Sequence, residues 1–230
     1  MVTGDNKGHK YEKKIVQILE DKKIIPVGKH GAGSGPGTDI TFFHNKKEFK
    51  VEIKNSVTDP DYGQKRLIPE KIGGEWKWNW APGVINENIT KYYTSIGILD
   101  YLDKKKIIPN KYRKLDSELT LKDVKEDQVN FEDRSYEIST DAFEIFYENK
   151  ADYVQIGKGQ GLFHLNKDVA KIGTSKFEGE FILRFRAKRH TTKNFYCYSF
   201  FSVLKCKKVL KKSKINIEEL EGQKFPTINP

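Results

Sequence analysis

The sequence predicts an α/β protein in which helices flank a mixed sheet and a β-rich part follows towards the C-terminus. Residues 9–22 place apolar side chains at helical spacing, whereas residues 49–54 alternate apolar and charged side chains as a half-buried strand does. Residues 158–206 contain several short aromatic or branched runs that turn residues separate. Because 230 residues suit one domain with a full core, we expect a single domain over residues 1–230.

The first element is an amphipathic helix. Tyr11, Ile15, Ile18 and Leu19 follow the i, i+4, i+7, i+8 pattern, and lysine and glutamate take many of the remaining positions. The chain then leaves the helix through residues 24–27, which we interpret as a short strand because they are mostly branched and apolar.

A glycine-rich loop follows at residues 28–37, which contain five glycines. It is not a nucleotide-binding P-loop, because it lacks the terminal Gly-Lys-Ser/Thr and no helix follows. A flexible loop here can approach a phosphate backbone closely, with Lys29 and His30 as phosphate contacts. A solvated loop without a ligand explains the same residues equally well.

Two consecutive strands come next and carry three charged residues. The run beginning at Asp39 is β-branched and aromatic, and after a short turn residues 49–54 alternate between an apolar and a charged face. Glu52 and Lys54 therefore share the charged face of the second strand. If the strands pair as a hairpin, Asp39 at the start of the first lies near the end of the second.

This arrangement suits metal-assisted hydrolysis of a phosphodiester. Asp39 and Glu52 supply the hard oxygen ligands that Mg²⁺ binds together with water and substrate phosphate. Such an ion polarises the phosphoryl oxygen and lowers the pKa of a bound water. Lys54 orients that water or stabilises the charge that develops on the phosphate. The ordinary alternative is an exposed strand face on which Glu52 and Lys54 form a weak ion pair.

Gly37-Thr38-Asp39 followed by Glu52-Ile53-Lys54 resembles the PD-(D/E)xK nuclease superfamily, which includes many type II restriction endonucleases and archaeal Holliday-junction resolvases. Thr38 stands where the family motif has a proline, a position that often varies in the family, and the nearest proline is Pro36. The resemblance covers about residues 9–55. It implies a restriction-endonuclease-like fold, in which helix, three strands, helix and strand follow in that order.

The resemblance also implies roles for individual residues. Asp39 and Glu52 would bind Mg²⁺, for which Mn²⁺ substitutes, and Lys54 would assist the attacking water or the phosphate. An acid on the first helix often completes the site in the superfamily, and Glu12 is the candidate here. The alternative for Glu12 is a solvated acid in the first helical turn, where it favours the helix dipole.

Further polar and aromatic residues follow the motif. Residues 55–64 are rich in turn formers, and Gln64, Lys65 and Arg66 are candidate contacts to the DNA backbone. Residues 76–80 hold all three tryptophans, which lie on one face if this run is a strand. That face either packs in the core, as large aromatic side chains usually do, or stacks on bases.

The middle of the chain predicts helices on both sides of a charged segment. Residues 86–106 predict one helix that continues through Gly97, and residues 104–135 predict an exposed insertion because they are densely charged with few apolar anchors. A helix over residues 139–149 and a strand over residues 152–157 then complete the predicted nuclease core.

The chain after this core, which we place at about residues 9–157, is β-rich. Runs over residues 177–188 and 195–203 predict a hairpin with its turn at residues 189–193. Arginine reads guanine edges and also binds phosphate, so we assign DNA recognition to residues 158–206. The alternative is a solvated polar strand face. The candidate contacts are Arg184, Arg186, Lys188, Arg189 and Lys193.

Composition bounds the partners and the compartment. The net charge of +10 favours nucleic acid as a partner, although a lysine-rich proteome produces the same surplus. Residues 207–230 form a basic tail that either clamps the DNA backbone or stays mobile. Cys197 and Cys206 lack the spacing of a zinc site or a disulfide framework, which fits a reducing cytoplasm. No apolar run suits a signal peptide or a membrane span, so we expect no membrane partner.

These features predict an Mg²⁺-dependent endodeoxyribonuclease, and within that class a site-specific type II restriction endonuclease. A junction resolvase fits less well, because minimal resolvases resemble only the first part of this chain. One copy of the motif cuts one strand, so we expect a homodimer acting on a palindromic site in double-stranded DNA. The alternatives are a non-catalytic nucleic-acid-binding protein with a degenerate nuclease core and, less favoured, an enzyme that acts on RNA.

Overall fold

The computed structural model describes most of the chain as a mixed α/β protein with two sheets. The described residues are 7–28, 38–44, 47–82, 87–132, 134–190, 194 and 196–220. The chain divides into two compact units. The first unit comprises Met1–Pro60, Tyr147–Glu180 and Cys206–Pro230, and the second comprises Asp61–Phe146 and Phe181–Lys205. The expectation of a single nuclease domain stays a prediction.

The elements of the described residues are these in chain order. The first half contains α1 (Lys7–Asp21), β1 (Ile40–His44), β2 (Lys47–Lys54), β3 (Gly63–Ile72), β4 (Glu75–Trp80), α2 (Glu87–Ser95), α3 (Ile98–Lys104) and α4 (Asn110–Arg113). The second half contains a 3-10 turn (Asp116–Glu118), α5 (Leu121–Glu132), β5 (Ser135–Ile138), α6 (Asp141–Tyr147), β6 (Tyr153–Ile156), β7 (Gly161–His164), β8 (Ser175–Lys176), β9 (Gly179–Arg189), β10 (Tyr198–Val209) and a second 3-10 turn (Ile217–Glu219).

The sheet of the first unit is mixed and has the strand order β1-β2-β6-β7-β8. β1 and β2 form the predicted antiparallel hairpin, with Ile40 opposite Val51. β6 then runs parallel to β2, with Val154 opposite Glu52, and β7 returns antiparallel to β6. The predicted helix at residues 139–149 and strand at residues 152–157 are confirmed as α6 and β6.

Helix α1 covers one face of this sheet, as its periodicity predicts. Ile15 and Leu19 are fully buried, in one cluster with Phe49 and Val51 of β2 and Tyr153 of β6. Burying each such side chain contributes about 1.5–3 kcal/mol. The alternation of β2 is also confirmed, because its apolar residues are buried while the charged residues between them stay partly exposed.

The predicted short strand at residues 24–27 is wrong. The amide of Ile24 instead donates to the carbonyl of Leu19 and closes the end of α1, while Lys23 takes a positive φ of 56°. This geometry is a helix-ending motif that diverts the backbone from a sheet. Ile25 is nevertheless buried, which explains the apolar run without a strand.

The basic tail is also more ordered than expected over its described part. Ile217 and Leu220 are buried in the core of the first unit. The amide of Leu162 donates to the carbonyl of Ile215 at 2.6 Å, so the segment lies against β7. Residues 215–220 are therefore packed, residues 207–214 are mostly exposed, and residues 221–230 lie outside the described residues.

The second unit is built on a sheet with the order β4-β3-β10-β9-β5. β3 and β4 form a hairpin whose two-residue turn, Gly73-Gly74, has φ values of 58° and 86°. Two positive φ angles in succession suit glycine and match the twist of a hairpin. The predicted β-rich region at residues 158–206 therefore contributes β7 and β8 to one sheet and strands β9 and β10 to the other.

Two predictions for the second unit, a single helix and an exposed insertion, differ from the structure. The helix expected over residues 86–106 is two helices, because Gly97 adopts a left-handed φ of 75° between α2 and α3. The segment 104–135 is not merely exposed: it forms α4 and α5 and buries Val124 and Phe131. Asp127 on α5 is buried as well and accepts hydrogen bonds from two backbone amides of α4. The high density of charged residues in this segment predicted exposure, and no pattern in the sequence indicated these buried contacts.

Candidate active site

The start of β1 is held against the end of β2 by side chains. Asp39 Oδ2 accepts a hydrogen bond of 2.7 Å from the amide of Ile53, and Thr38 Oγ1 donates to the carbonyl of Val51 at 3.1 Å. The predicted proximity of Asp39 to the end of the second strand is confirmed. The amide contact fixes one carboxylate oxygen and leaves Oδ1 without a hydrogen-bond partner among the described residues.

Glu52 and Lys54 lie on the charged face of β2 and contact each other. Lys54 Nζ is 2.6 Å from Glu52 Oε1, and each side chain is only 12% exposed. The hydroxyl of Tyr147 donates to the same oxygen at 2.9 Å. Lys54 Nζ also lies 5.9 Å from the centroid of the Tyr147 ring. Glu52 Oε1 therefore accepts hydrogen bonds from the Lys54 ammonium and the Tyr147 hydroxyl at a site with little solvent exposure.

The carboxylate of Asp39 is electrostatically disfavoured as an anion. Burial and then the negative charge of Glu52 raise the pKa of Asp39 to about 7, and Glu12 adds to the rise. The amide of Ile53 and the charge of Lys54 partly oppose it. Acids that repel each other at a partly buried site favour the approach of a cation, because a cation stabilises both charged forms.

Glu12 on α1 belongs to the same electrostatic group. Burial raises its pKa, His9 and Lys54 oppose the rise, and Glu52 contributes to it. The carboxylate of Glu12 makes no hydrogen bond to another described residue. The structure therefore brings all four predicted catalytic residues into one part of the first unit.

A buried polar network holds α1 in this position. Gln155 on β6 donates from Nε2 to Tyr11 Oη at 3.2 Å and to Asn216 Oδ1 at 2.9 Å, and its Oε1 accepts from the amide of Ile217. A Cβ on Gly157 would approach the Tyr11 ring to 2.8 Å. Since Tyr11 precedes Glu12, these contacts set where α1 presents Glu12, which lies beyond the first turn of the helix.

The donor set fits a hard divalent cation through two carboxylates. Asp39 Oδ1 and Glu52 Oε2 each lack a hydrogen-bond partner among the described residues, whereas Glu52 Oε1 is taken by Lys54 and Tyr147. In the described ranges no group of three His, Cys, Asp or Glu is arranged to hold a metal. Mg²⁺ commonly uses one or two carboxylates with water and phosphate completing the shell. Asp39 and Glu52 are therefore the residues that would hold it.

Sequence reasoning missed two residues at this site. Tyr147 ends α6, and burial together with the charge of Glu52 raises its pKa well above the ordinary value. Burial lowers the pKa of Lys150, and the charge of Glu52 opposes that shift. Neither residue belongs to a motif. The parallel pairing of β6 with β2, which only the structure shows, brings the end of α6 to Glu52.

The first group of predicted DNA contacts lies on β3 in the second unit. Gln64 and Arg66 are exposed, but Lys65 between them is only 8% exposed. Burial lowers the pKa of Lys65. Alternation along a strand forces this division, so Lys65 departs from the predicted grouping and only Gln64 and Arg66 face outward.

The second group lies on β9, also in the second unit. Arg184, Arg186 and Lys188 alternate with buried apolar residues, which confirms the predicted face. Arg186 Nη1 is 3.3 Å from Asp61 Oδ2, and Lys205 Nζ is 3.4 Å from Asp61 Oδ1. Arg189 is exposed at the end of the strand. The remaining candidates, Lys29, His30 and Lys193, lie outside the described residues.

The tryptophan run forms β4, and its central member packs in the core, which is one of the two predicted alternatives. Trp78 is 2% exposed, and its ring centroid lies 5.1 Å from that of Phe131 and 5.8 Å from that of Phe200. Trp76 and Trp80 are half-buried. Core packing thus explains Trp78 fully and the other two in part.

Comparison with known proteins returns no match: no family model, no curated protein and no solved structure is significantly similar to the chain. Among the described helices, none combines the length and the apolar character that crossing a membrane requires.

Proposed function

We propose that the protein is an Mg²⁺-dependent endodeoxyribonuclease of the PD-(D/E)xK type that hydrolyses phosphodiester bonds of double-stranded DNA. The observation that carries this proposal is the convergence of Asp39, Glu52 and Lys54 on one pair of strands, with Glu12 in the same electrostatic group. Burial and mutual repulsion of the acids give this group an affinity for a cation that an ordinary strand face lacks.

The bound cation supplies a polarised phosphoryl oxygen and a water of lowered pKa. Asp39 and Glu52 would hold it through the carboxylate oxygens that have no hydrogen-bond partner among the described residues. Lys54 carries an ammonium that, once shifted from Glu52, donates to a phosphate oxygen and stabilises its developing negative charge. Glu12 accepts a proton from the attacking water, a role that its raised pKa supports.

Within the nuclease class we propose a site-specific type II restriction endonuclease that works as a homodimer in the cytoplasm. The basic face of β9, with Arg184, Arg186 and Lys188, supports a recognition role for the second unit. A net charge of +10 supports a polyanionic substrate. A palindromic site follows if two copies of one motif each cut one strand.

A cleavage assay tests the proposal. The protein is incubated with a mixture of plasmids and Mg²⁺, and the fragment ends are sequenced. Discrete fragments that the Asp39→Asn variant does not produce support a restriction enzyme, and a smear indicates a nonspecific nuclease. Glu48→Gln, which changes an exposed acid of the same strand, is the matched control and retains cutting.

The assay also separates the other candidates. Cutting only of four-way junctions indicates a resolvase, and cutting only of RNA places the activity on another nucleic acid. Binding to DNA without cutting under any divalent cation contradicts the proposal, because the ion pair of Glu52 with Lys54 would then be only structural.

A further inference from the structure

The second unit contains a cavity that the proposed chemistry does not use. It has a volume of about 510 Å³ and lies between the free edge of β4 and the end of α3. This volume is within the range of pockets that bind small molecules. Trp76, Trp78 and three lysines contribute to its lining.

The edge of β4 offers open backbone groups at this cavity. The amide of Ala81 donates to the carbonyl of Arg66 on β3, whereas the amide of Trp78 donates away from β3 to Asp103 Oδ1 at 2.7 Å. Backbone groups alternate along an antiparallel strand, so the N–H and C=O of Trp76 point to the same side as those of Trp78. Neither has a hydrogen-bond partner among the described residues.

The opening is too short for an added peptide strand. Towards the C-terminus Asp103 takes the amide of Trp78, and Trp78 Nε1 donates to the carbonyl of Ile107 at 3.1 Å. Towards the N-terminus the Gly73-Gly74 turn ends the strand. Among the described residues the donor and acceptor of Trp76, with the carbonyl of Trp78 beside them, remain without a hydrogen-bond partner, which suits a small planar molecule with a complementary acceptor and donor.

The side chains around this pair add a flat surface and a positive charge. Trp76 is half-buried, so part of its ring is open to a ligand. Lys77, Lys104 and Lys106 are exposed and line the cavity. They outnumber the lining carboxylates, Glu75 and Asp103, and Asp103 is already engaged by Trp78. Aromatic stacking together with lysine is a combination that binds nucleotides.

We propose that this cavity binds one nucleotide, with the base against Trp76 and its hydrogen-bonding edge on the Trp76 backbone, and with the phosphate on the lysines. The inference deepens the proposed function and rests on it for the source of the nucleotide, which is a base extruded from DNA. A free nucleotide has the same chemistry, and the experiment distinguishes the two.

The first arm of the test measures binding of the four deoxynucleoside 5′-monophosphates by isothermal titration calorimetry. At least one binds the wild type, and Trp76→Ala weakens it at least tenfold. The double variant Lys77→Ala/Lys104→Ala weakens it by a similar factor. Lys105→Ala is the matched control and stays within twofold, because Lys105 is exposed but stacks on Tyr101 instead of lining the cavity.

The second arm uses a DNA duplex with one unpaired 2-aminopurine, whose fluorescence reports stacking. The cavity is assigned to a base of DNA if the wild-type protein changes the 2-aminopurine fluorescence and the Trp76→Ala variant does not. Binding of monophosphates without that change assigns it to a free nucleotide and overturns the extruded-base source. No binding in either arm, or unchanged binding by Trp76→Ala, overturns the cavity assignment.

The two proposals fail separately. The Asp39→Asn variant keeps the cavity intact and must bind the monophosphate as the wild type does. If the protein binds nucleotides but cleaves no substrate, the nuclease proposal is rejected and the cavity proposal stands. If the protein cleaves DNA but binds no nucleotide in either arm, the cavity proposal is rejected and the nuclease proposal stands.

Discussion

The hydroxyl of Tyr147 and the carboxylate of Glu52, 95 residues apart in the chain, share a hydrogen bond of 2.9 Å. Lys54 donates to the same carboxylate oxygen. The phenol therefore orients a proposed metal ligand and limits where the lysine can lie, while the second oxygen of Glu52 has no hydrogen-bond partner among the described residues. Residues that hydrogen-bond to a metal ligand orient it and strongly affect metal affinity and activity.

We expect Tyr147→Phe to lower Mg²⁺ affinity or cleavage by about 10–100-fold, since it removes the hydrogen bond to Glu52 and keeps the ring. The Mg²⁺ concentration at half-maximal cleavage and the maximal rate separate the two effects. Tyr136→Phe is the matched control, because the Tyr136 hydroxyl donates to the carbonyl of Ile96 in the second unit. Equal behaviour of both variants would exclude a specific role for Tyr147.

Asp39→Asn and Lys54→Ala should each lower the cleavage rate by at least about 10²-fold, as loss of one electrostatic stabiliser does. DNA binding should stay largely intact, because neither residue is proposed as an anchor. Gel-shift and single-turnover cleavage assays measure the two properties on the same DNA. Lys47→Ala, a change at an exposed position of β2, is the control. Near-normal turnover by either variant removes that residue from the mechanism.

Divalent cations should divide into two groups. Mg²⁺ and Mn²⁺ should support cleavage, and Ca²⁺ should support binding without cleavage because it tolerates looser coordination. Calorimetric titration of the wild type and of Asp39→Asn with Mn²⁺ checks that Asp39 contributes to the site. Full activity in EDTA would refute the metal-dependent mechanism.

The pKa of Asp39, raised by burial and by Glu52 to about 7, predicts a pH dependence. The folded chain holds this proton more tightly than the unfolded chain, whose ordinary value is 3.8. The contribution to stability is therefore fully present below pH 3.8 and is lost as the pH rises through about 7. Relative to Asp39→Asn, the metal-free wild type should lose thermal stability across that window.

Addition of Mg²⁺ should reverse this loss above pH 7, because the cation takes the place of the proton. The affinity for Mg²⁺ should rise by up to about tenfold per pH unit below the pKa and level off above it. Thermal melts with and without Mg²⁺ from pH 5 to 8.5 measure both effects. A stability difference independent of pH would contradict the assignment.

The protein should act as a two-fold dimer on a palindromic duplex. If Arg186 or Arg189 contacts a base with two hydrogen bonds, its removal should cost about 1–3 kcal/mol and relax one position of the site. If the residue contacts a phosphate instead, its removal should weaken binding to all DNA sequences alike and reduce the dependence of affinity on salt concentration. Arg186 must first break its ion pair with Asp61. The Asp61→Asn variant should therefore release the Arg186 side chain and keep it available for DNA. An asymmetric site, or a monomer that only nicks, would reject the model.

The local patterns of the sequence were sufficient for the hairpin and the site residues on it. Alternation over residues 49–54 correctly assigned Glu52 and Lys54 to one face, and the glycine-to-strand transition placed Asp39 beside the end of β2. Period and pairing are properties of neighbouring residues, so they can be read directly from the chain. The identity of the fold as restriction-endonuclease-like stays a prediction.

Errors arose where a backbone detail or a distant partner decided the outcome. Lys23 and Gly97 take left-handed conformations that end helices, which apolar periodicity does not reveal. Lys65 was predicted with Gln64 and Arg66 as a contact to the DNA backbone, yet alternation along β3 turns it inward. Charge is a weak guide to exposure when a buried carboxylate such as Asp127 has hydrogen-bond donors from another helix.

By itself, the sequence determined that two acids and a lysine meet at a strand end, because spacing along a strand is local. Only the tertiary structure placed Tyr147 on Glu52, set Gln155 to hold the helix that carries Glu12, and raised the pKa of Asp39. Those outcomes depend on burial and on contacts between residues far apart in the chain. Burial and long-range pairing exist only once the chain has folded, so no local pattern encodes them.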